Sequence, residues 1–351
     1  MIDALLEYVV RTKASDLHLT AGVPPTIREH GQLIHVGEER LTVPALQQYA
    51  KEVLTEEQYN EVLQEGEIDT SYSVEGIGRF RLNVYKQRGT LAFAFRVIGM
   101  KIPTLEDLNL PPIISEFTKK TRGLILITGP TGSGKSTTLA AMINMINQEH
   151  SYHIITLEDP IEFLHRHGKS IINQREIGRD SKSYSNALRA ALREDPDVIL
   201  VGEMRDLESI SIALTAAETG HLVLSTLHTI GAAKTIDRII DAFPPYQQQQ
   251  IKVQLSTVLL GVVSQQLIER KDKQGRALAL EILLTNPAIR NLIRENKVFQ
   301  INSVMQTSNK YGMQTMDSNL AQLYKQGIIT YEDCIAYSTD SENVIRLIGG
   351  A

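Results

Sequence analysis

Cysteine is almost absent from this 351-residue chain, with Cys334 its only example. One thiol excludes an intrachain disulfide and any zinc site built on cysteine. An excess of one charge is missing too. With 36 basic and 41 acidic residues, the net charge of −5 exerts no overall pull toward nucleic acid or anionic lipid. That balance weighs against helicases and recombinases, although a local basic stripe fits within a mildly acidic total. Long hydrophobic runs are lacking as well. The longest, Val258–Val263, falls far short of the roughly 20 residues of a membrane-spanning helix. No internal repeat is present. The opening MIDALLEYVVRTKASD carries Asp3 and Glu7 among its apolar residues, the pattern of an amphipathic helix and not of a signal peptide. The expectation is a soluble cytoplasmic protein, with two domains at this length.

What the chain does hold is a glycine-rich turn between a strand and a helix. Leu124–Thr128 (LILIT) reads as a buried parallel strand, and Thr138–Ile146 (TLAAMINMI) has the apolar density of a helix packed on a sheet. Between them runs Gly129-Pro130-Thr131-Gly132-Ser133-Gly134-Lys135-Ser136-Thr137, with GxxxxGK[ST] spanning Gly129 to Ser136. This is the P-loop in its required setting. The glycines let backbone N–H groups close around an anion, Lys135 reaches the terminal phosphates, and the Ser136 hydroxyl is placed for Mg²⁺. The start of the helix adds its positive dipole end. A nucleoside triphosphate site follows.

Around that loop the chain divides. Residues 1–100 read as an α+β domain with a curved antiparallel sheet. Its helices are Ile2–Val10, Leu46–Leu54 and Glu56–Glu65. Its strands are Leu17–Leu19, Pro25–Arg28, Gln32–His35, Asp69–Val74, Gly78–Lys86 and Thr90–Val97. Residues 101–112 (KIPTLEDLNLPP) form a proline-stiffened linker. From residue 113 strands and helices alternate, which implies a parallel sheet covered on both faces, a P-loop α/β core of the RecA type. Strands are expected at Leu124–Thr128, His153–Leu157, Ser170–Asn173, Val198–Val201 and Leu222–Ser225. Helices are expected at Lys135–Ile146, Tyr184–Leu192, Leu207–Thr219, Ala232–Ile240 and Tyr246–Leu267. A hairpin falls around Lys273–Arg276. The core runs to residue 285, and 286–351 forms a helical C-terminal region.

Further candidates lie downstream of the loop. The strand Val198–Val201 delivers Glu203 at its C-terminal end, where ligands of doubly wound sheets sit, so Glu203 reads as the Walker B acid holding Mg²⁺ directly or through water. His153–Phe163 (HIITLEDPIEF) is a second strand ending in acid. Pro160 turns the chain there, and Glu158, Asp159 and Glu162 are three alternatives for orienting the attacking water. His221 and His228 bracket a strand roughly 20 Å long at about 3.3 Å per residue. His228 is placed to sense the γ-phosphate, with an ordinary strand-end histidine as the alternative. Arg79, Arg81, Arg88 and Arg96 cluster on the last hairpin of the first domain, either as charge for the γ-phosphoryl group or as a solvated edge.

The motifs converge on one family. The chain resembles the secretion ATPases of type II and type IV pilus systems, most closely their pilus-retraction branch, over essentially its whole length. The likeness includes ASDLHLTAG at 14–22, RFRLNVY at 79–85, the P-loop and ITLEDPIEF at 155–163. It continues through ALREDPDVILVGEMRD at 191–206, HLVLSTLHT at 221–229 and AIRNLIRE at 288–295, the last a mark of the retraction branch. The resemblance implies ATP and Mg²⁺ as cofactors, Glu162 as the catalytic glutamate, Glu203 as the Walker B acid, and Arg81 and Arg96 as arginines that reach the nucleotide. It implies a PAS-like first domain and a homohexameric ring. The ring would act peripherally at the cytoplasmic face of the inner membrane, on a platform protein and the pilin machinery, without nucleic acid. A pilus-extension or type II secretion ATPase is the alternative. Those members carry a longer N-terminal region and usually a tetracysteine zinc insert, and neither is expected here. A DNA translocase and a non-hydrolytic regulator lie further off. In AIRNLIRE, Ile289, Leu292 and Ile293 form a stripe suited to burial, while Arg290 and Arg294 share another face expected to point away from the core.

Overall fold

The computed structural model describes residues 2–29, 31–99, 102–204 and 206–349. Met100 and Lys101 at the predicted start of the linker, Arg205 within the 191–206 motif, and Gly350 and Ala351 at the chain's end lie outside the described residues. The chain forms two compact units. The first takes residues 1–101 and, unexpectedly, 160–164; the second takes 102–159 and 165–351.

In the first unit α1 (Ile2–Arg11) precedes β1 (Asp16–Leu19), β2 (Thr26–Glu29) and β3 (Gln32–His35). Helices α2 (Val43–Val53) and α3 (Glu56–Glu65) follow, then β4 (Glu67–Val74), β5 (Gly78–Gln87) and β6 (Thr90–Val97). The strands form one antiparallel sheet in the order β3-β2-β1-β6-β5-β4. Alternation fixes which face is buried. Leu17, Leu19, Phe80, Leu82, Phe93 and Phe95 turn into a core shared with Leu6 of α1 and Leu46 of α2. The intervening residues, Asp16, His18, Arg81 and Arg96, therefore sit on the opposite face. Local signals start the helices, α2 earlier than the Leu46 expected from the sequence. Thr42 caps α2, and a reciprocal Thr55–Gln58 capping box starts α3.

The second unit opens with α4 (Ile113–Thr118), β7 (Gly123–Thr128), α5 (Lys135–Glu149), β8 (His153–Glu158), β9 (Ile171–Glu176) and α6 (Tyr184–Ala191). It continues with β10 (Val198–Val201), α7 (Leu207–Glu218), β11 (Leu222–Leu227), α8 (Ala232–Asp241), α9 (Pro245–Val258), β12 (Leu259–Glu269) and β13 (Arg276–Leu284). Helices α10 (Pro287–Arg294), α11 (Ile301–Thr307), α12 (Met316–Lys325), α13 (Tyr331–Ala336) and α14 (Ser341–Gly349) complete it. The sheet order is β13-β12-β7-β11-β10-β8-β9, parallel except for the β12–β13 hairpin. Successive residues of one strand enter different cores. Leu124 and Leu126 face a cluster with α6 to α10, whereas Ile125 and Ile127 face one with α4 and α5. That division is the mark of a sheet covered on both faces, and it explains why these strands read as continuous apolar runs. The RecA-type α/β core expected from the sequence is present. Among the described residues no helix is long and apolar enough to cross a membrane.

One element differs from its reading. The helix expected over Tyr246–Leu267 stops at Val258, and Leu259–Glu269 is a strand pairing in parallel with β7. A run buried on both faces, with Ser264, Gln265 and Gln266 in its middle, carries no usable period, so the sequence could not place the switch. The 102–112 segment forms no helix or strand, as its prolines require, yet Leu105 and Leu110 are buried in the core with Ile114 and Phe117. Beyond β13, a smaller core joins Ile268 and Ala279 to Met316, Leu320 and Val344. Glu281 fastens this region: its buried carboxylate accepts the backbone N–H of Ala232 (2.6 Å) and of Met316 (3.2 Å), at the starts of α8 and α12. Burial pushes its pKa up against those two hydrogen bonds, with the nearby Asp317 charge pushing the same way.

His165 ties stability to pH. Burial pushes its pKa down to about 4, below the usual value of about 6.5. The native state then binds fewer protons than the unfolded chain between those values, so stability is full above about pH 6.5 and falls toward pH 4. The loss amounts to no more than about 3 kcal/mol. Thermal melts from pH 7.5 to 5 should fall more steeply for the native protein than for His165→Gln. Parallel curves would remove His165 from the account.

Candidate functional site

Parallel strands bring their C-terminal ends to one edge, and the register says which residues meet there. Leu157 of β8, Val201 of β10, Ser225 of β11 and Leu126 of β7 stand in one row. Two residues further along, Glu203 has left β10 and Thr128 has reached the P-loop. His228 follows the end of β11.

The loop has the shape that its sequence demands. Gly129 lies against the backbone of β12, and a Cβ there would sit 2.2 Å from the Gln265 carbonyl oxygen. Gly132 and Gly134 adopt φ of 79° and 89°, the left-handed region that side chains resist. Helix α5 begins directly after Gly134, and no side chain caps it. Its first N–H groups face the loop, as in phosphate-binding helix starts. Lys135 is only 9% exposed, and its ammonium donates to the carbonyls of Gly129 (2.8 Å) and Pro130 (3.0 Å). Burial pushes its pKa down, so an anion in the loop would relieve a desolvated charge. Three buried polar atoms near the loop have no hydrogen-bond partner among the described residues: Thr128 Oγ1, Ser133 Oγ and Gln265 Oε1. Ser136 is exposed, and Thr137 is half-buried.

Glu203 stands beside this loop, 8% exposed, with Oε2 3.2 Å from His228 Nε2. The pairing of β10 with β11 places both. The Ser225 hydroxyl donates to the Val201 carbonyl (2.8 Å), and the Thr226 hydroxyl donates to the Gly202 carbonyl (2.5 Å). His228 is therefore engaged with the acid, and His221 at the far end of β11 is engaged with helix α7 through Ala216 O at 2.9 Å.

Of the three acids at and beyond the end of β8, Glu158 is held by the Thr156 hydroxyl (2.6 Å) and the Gln174 amide (3.1 Å). Asp159 and Glu162 are exposed. Glu162 lies in the 160–164 segment that belongs to the first unit, where Phe163 bridges Gly99. Arg81 and Arg96 are also in the first unit, as directly opposed residues of β5 and β6. The P-loop, Glu203 and His228 thus lie in the second unit, and Arg81, Arg96 and Glu162 lie in the first.

Some features escaped the sequence reading. Gln265 of β12 closes the back of the loop and donates to Thr138 Oγ1 at 2.8 Å; it was hidden by the helix expected there. A cleft of about 650 Å³ extends from Ser133, Gly134 and Thr137 to Leu267, Arg276 and Leu278. Only the hairpin pairing β12 with β13 brings those last three residues beside the loop. Arg290 is not a free surface arginine. It is half-buried and donates to the Thr257 carbonyl (2.9 Å) in the last turn of α9, while Arg294 is exposed as expected.

A doubly covered parallel sheet with an intact phosphate loop, and an acid at the same edge after the next strand but one, defines a P-loop ATPase. The chain belongs to the type II/IV secretion system protein family, whose model matches residues 102–346. It is 49% identical over 320 residues to a twitching motility protein of Neisseria gonorrhoeae, covering 91% of this chain and 86% of that one. It is 47% identical over 342 residues to the type IV pilus retraction ATPase PilT of Pseudomonas aeruginosa, covering 97% and 99%. A crystal structure of the pilus retraction motor PilT with bound ADP superposes with a TM-score of 0.91 at 50% identity, covering 97% of this chain and 98% of that one.

Proposed function

We propose that this chain is an ATP-hydrolysing motor that works as a homohexamer and drives type IV pilus retraction, the disassembly stroke of twitching motility. The observation that carries the reading is the intact phosphate loop beside the Glu203–His228 pair at one sheet edge, in a chain related over nearly its full length to retraction ATPases. Residues 129–137 hold the phosphates. The cleft toward Leu267 and Arg276 receives the base and ribose. The Ser136 hydroxyl and Glu203 carboxylate are the hard oxygen donors that suit Mg²⁺, which would neutralise charge on the phosphates. Glu162 orients the attacking water, and Arg81 and Arg96 stabilise charge on the γ-phosphoryl oxygens. His228, bonded to Glu203, senses the γ-phosphate. Residues 1–100 form the PAS-like domain, 101–112 the linker, 113–285 the motor core and 286–351 the helical region. The ring works at the cytoplasmic face of the inner membrane on a platform protein, with pilin as its load and no nucleic acid.

Turnover assays with and without DNA, together with electron microscopy of the nucleotide-bound protein, test this. Hexameric rings with DNA-independent hydrolysis are expected. DNA-stimulated turnover would make the chain a translocase, and no turnover would make it a regulator.

The 288–295 segment separates motor from output. Arg294→Glu changes an exposed side chain with no phosphate role, so turnover should stay within about twofold, as for most surface changes. Retraction in cells should be lost through a contact with the platform protein or between subunits. Arg290→Glu instead sets a carboxylate against the Thr257 carbonyl and should lower the melting temperature. Full retraction with Arg294→Glu would remove this segment from the output path.

A further inference from the structure

On the face of the first unit's sheet opposite its core, Arg81 and Arg96 belong to a longer row of charge whose other members, Arg28 and Asp16, have no role assigned above. Strand register sets Arg28, Asp16, Arg96 and Arg81 side by side across β2, β1, β6 and β5. Arg96 and Arg81 oppose each other directly, an arrangement that is unfavourable for like charges. Each is restrained from its outer side by an acid. Asp69 lies 3.8 Å from Arg81, and Asp16 Oδ1 accepts from Arg96 Nε at 2.8 Å.

The two acids are not equivalent. Asp69 is exposed, but the Asp16 side chain is only 9% exposed and its second oxygen is fixed. The Ser15 hydroxyl donates to Oδ2 at 2.7 Å, and Arg28 Nε stands 3.9 Å from the same oxygen. Burial alone would raise the Asp16 pKa; the Ser15 and Arg96 hydrogen bonds and the Arg96 charge outweigh it, and the carboxyl is held below its usual value. Asp16 is thus ionised and locked. Arg96 is the reverse, with a side chain 71% exposed and no hydrogen-bond partner other than Asp16 among the described residues.

Contact through Nε is what matters. Guanidinium has five N–H donors in a rigid fork, and gripping Nε leaves the donors of both terminal nitrogens to spare. An arginine held that way loses little freedom when it meets an anion. From this geometry we infer that Asp16, seated by Ser15, is a positioning residue that aims the Arg96 guanidinium at the terminal phosphate of the nucleotide. The inference rests on the proposed phosphate role of Arg96. It gives that arginine a fixed support, and it gives the ASDLHL stretch a task in turnover.

Steady-state turnover and nucleotide binding of the assembled protein test it in a cycle of Asp16→Asn, Arg96→Ala and the double variant. Asp16→Asn keeps an acceptor but loses the charge. Its kcat should fall about 10-fold or more with binding nearly unchanged, the penalty of a misaimed group. Arg96→Ala should fall further, and adding Asp16→Asn to it should change nothing. Equal losses from Asp16→Asn in both backgrounds would show a merely structural acid and overturn the inference. Native kcat for Asp16→Asn beside an impaired Arg96→Ala would also overturn it, leaving the arginine role intact. Native kcat for Arg96→Ala would overturn the arginine role itself, and the inference with it. Should Asp16→Asn fail to assemble, Ser15→Ala in the same cycle should lower kcat severalfold only where Arg96 is present; no effect would overturn the inference.

Discussion

Replacing Lys135 by alanine should lower ATP turnover by about two to three orders of magnitude, the scale of losing one preorganised charge at a developing anion. The chain should still fold. In the structure the ammonium is buried against the Gly129 and Pro130 carbonyls, and burial depresses its pKa. Removing a desolvated charge together with two hydrogen bonds leaves a small net change, because the two terms oppose each other. Nucleotide has no such compensation, since its terminal phosphates lose their only lysine in the loop. Turnover measured beside a melt and a fluorescent-nucleotide titration separates the effects. Native turnover in Lys135→Ala would remove the loop from catalysis, and a collapsed melt would make the lysine a folding residue.

The second large effect concerns the acids that follow β8. Glu162→Gln should bind ATP normally and hydrolyse it about 10²- to 10⁴-fold more slowly, the usual contribution of a positioned base or water-orienting group. Glutamine keeps the shape but cannot take a proton from water. Glu158 is a weaker candidate on geometry, because one of its oxygens already accepts from both Thr156 and Gln174. With Glu162 in that role, Asp159→Asn should retain most activity. Rapid-quench measurement of the hydrolysis step checks both variants. A dead Asp159→Asn beside an active Glu162→Gln would exchange their roles.

How much of this was legible beforehand depended on how local the determinant was. The P-loop was fully legible, since its glycines, lysine and flanking apolar runs are contiguous and each answers a local demand. The position of Glu203 at the sheet edge was legible because a short apolar strand ending in acid points to the ligand edge of a parallel sheet. Strand β12 was missed because its eleven residues are buried on both sides and lack a period. With it went Gln265 and the cleft between Leu267 and Arg276, because the hairpin read around Lys273–Arg276 was not joined to a strand lying beside β7. Arg290 failed for a different reason. Helical spacing put it on a solvent face, but the face is partly covered by the end of α9, whose Thr257 carbonyl takes its proton donor. Asp16 lay just outside the strand read at Leu17–Leu19 and was not singled out. Its partner Arg96 lies 80 residues away, a pairing that only the sheet register reveals.

The central claim is that nucleotide hydrolysis by this chain drives pilus disassembly, and imaging labelled pili in living cells tests it most directly. In cells whose native copy is replaced by Glu162→Gln, the account predicts pili that extend and persist but do not retract. Retraction at native speed, in cells whose purified variant binds ATP without hydrolysing it, would contradict the account.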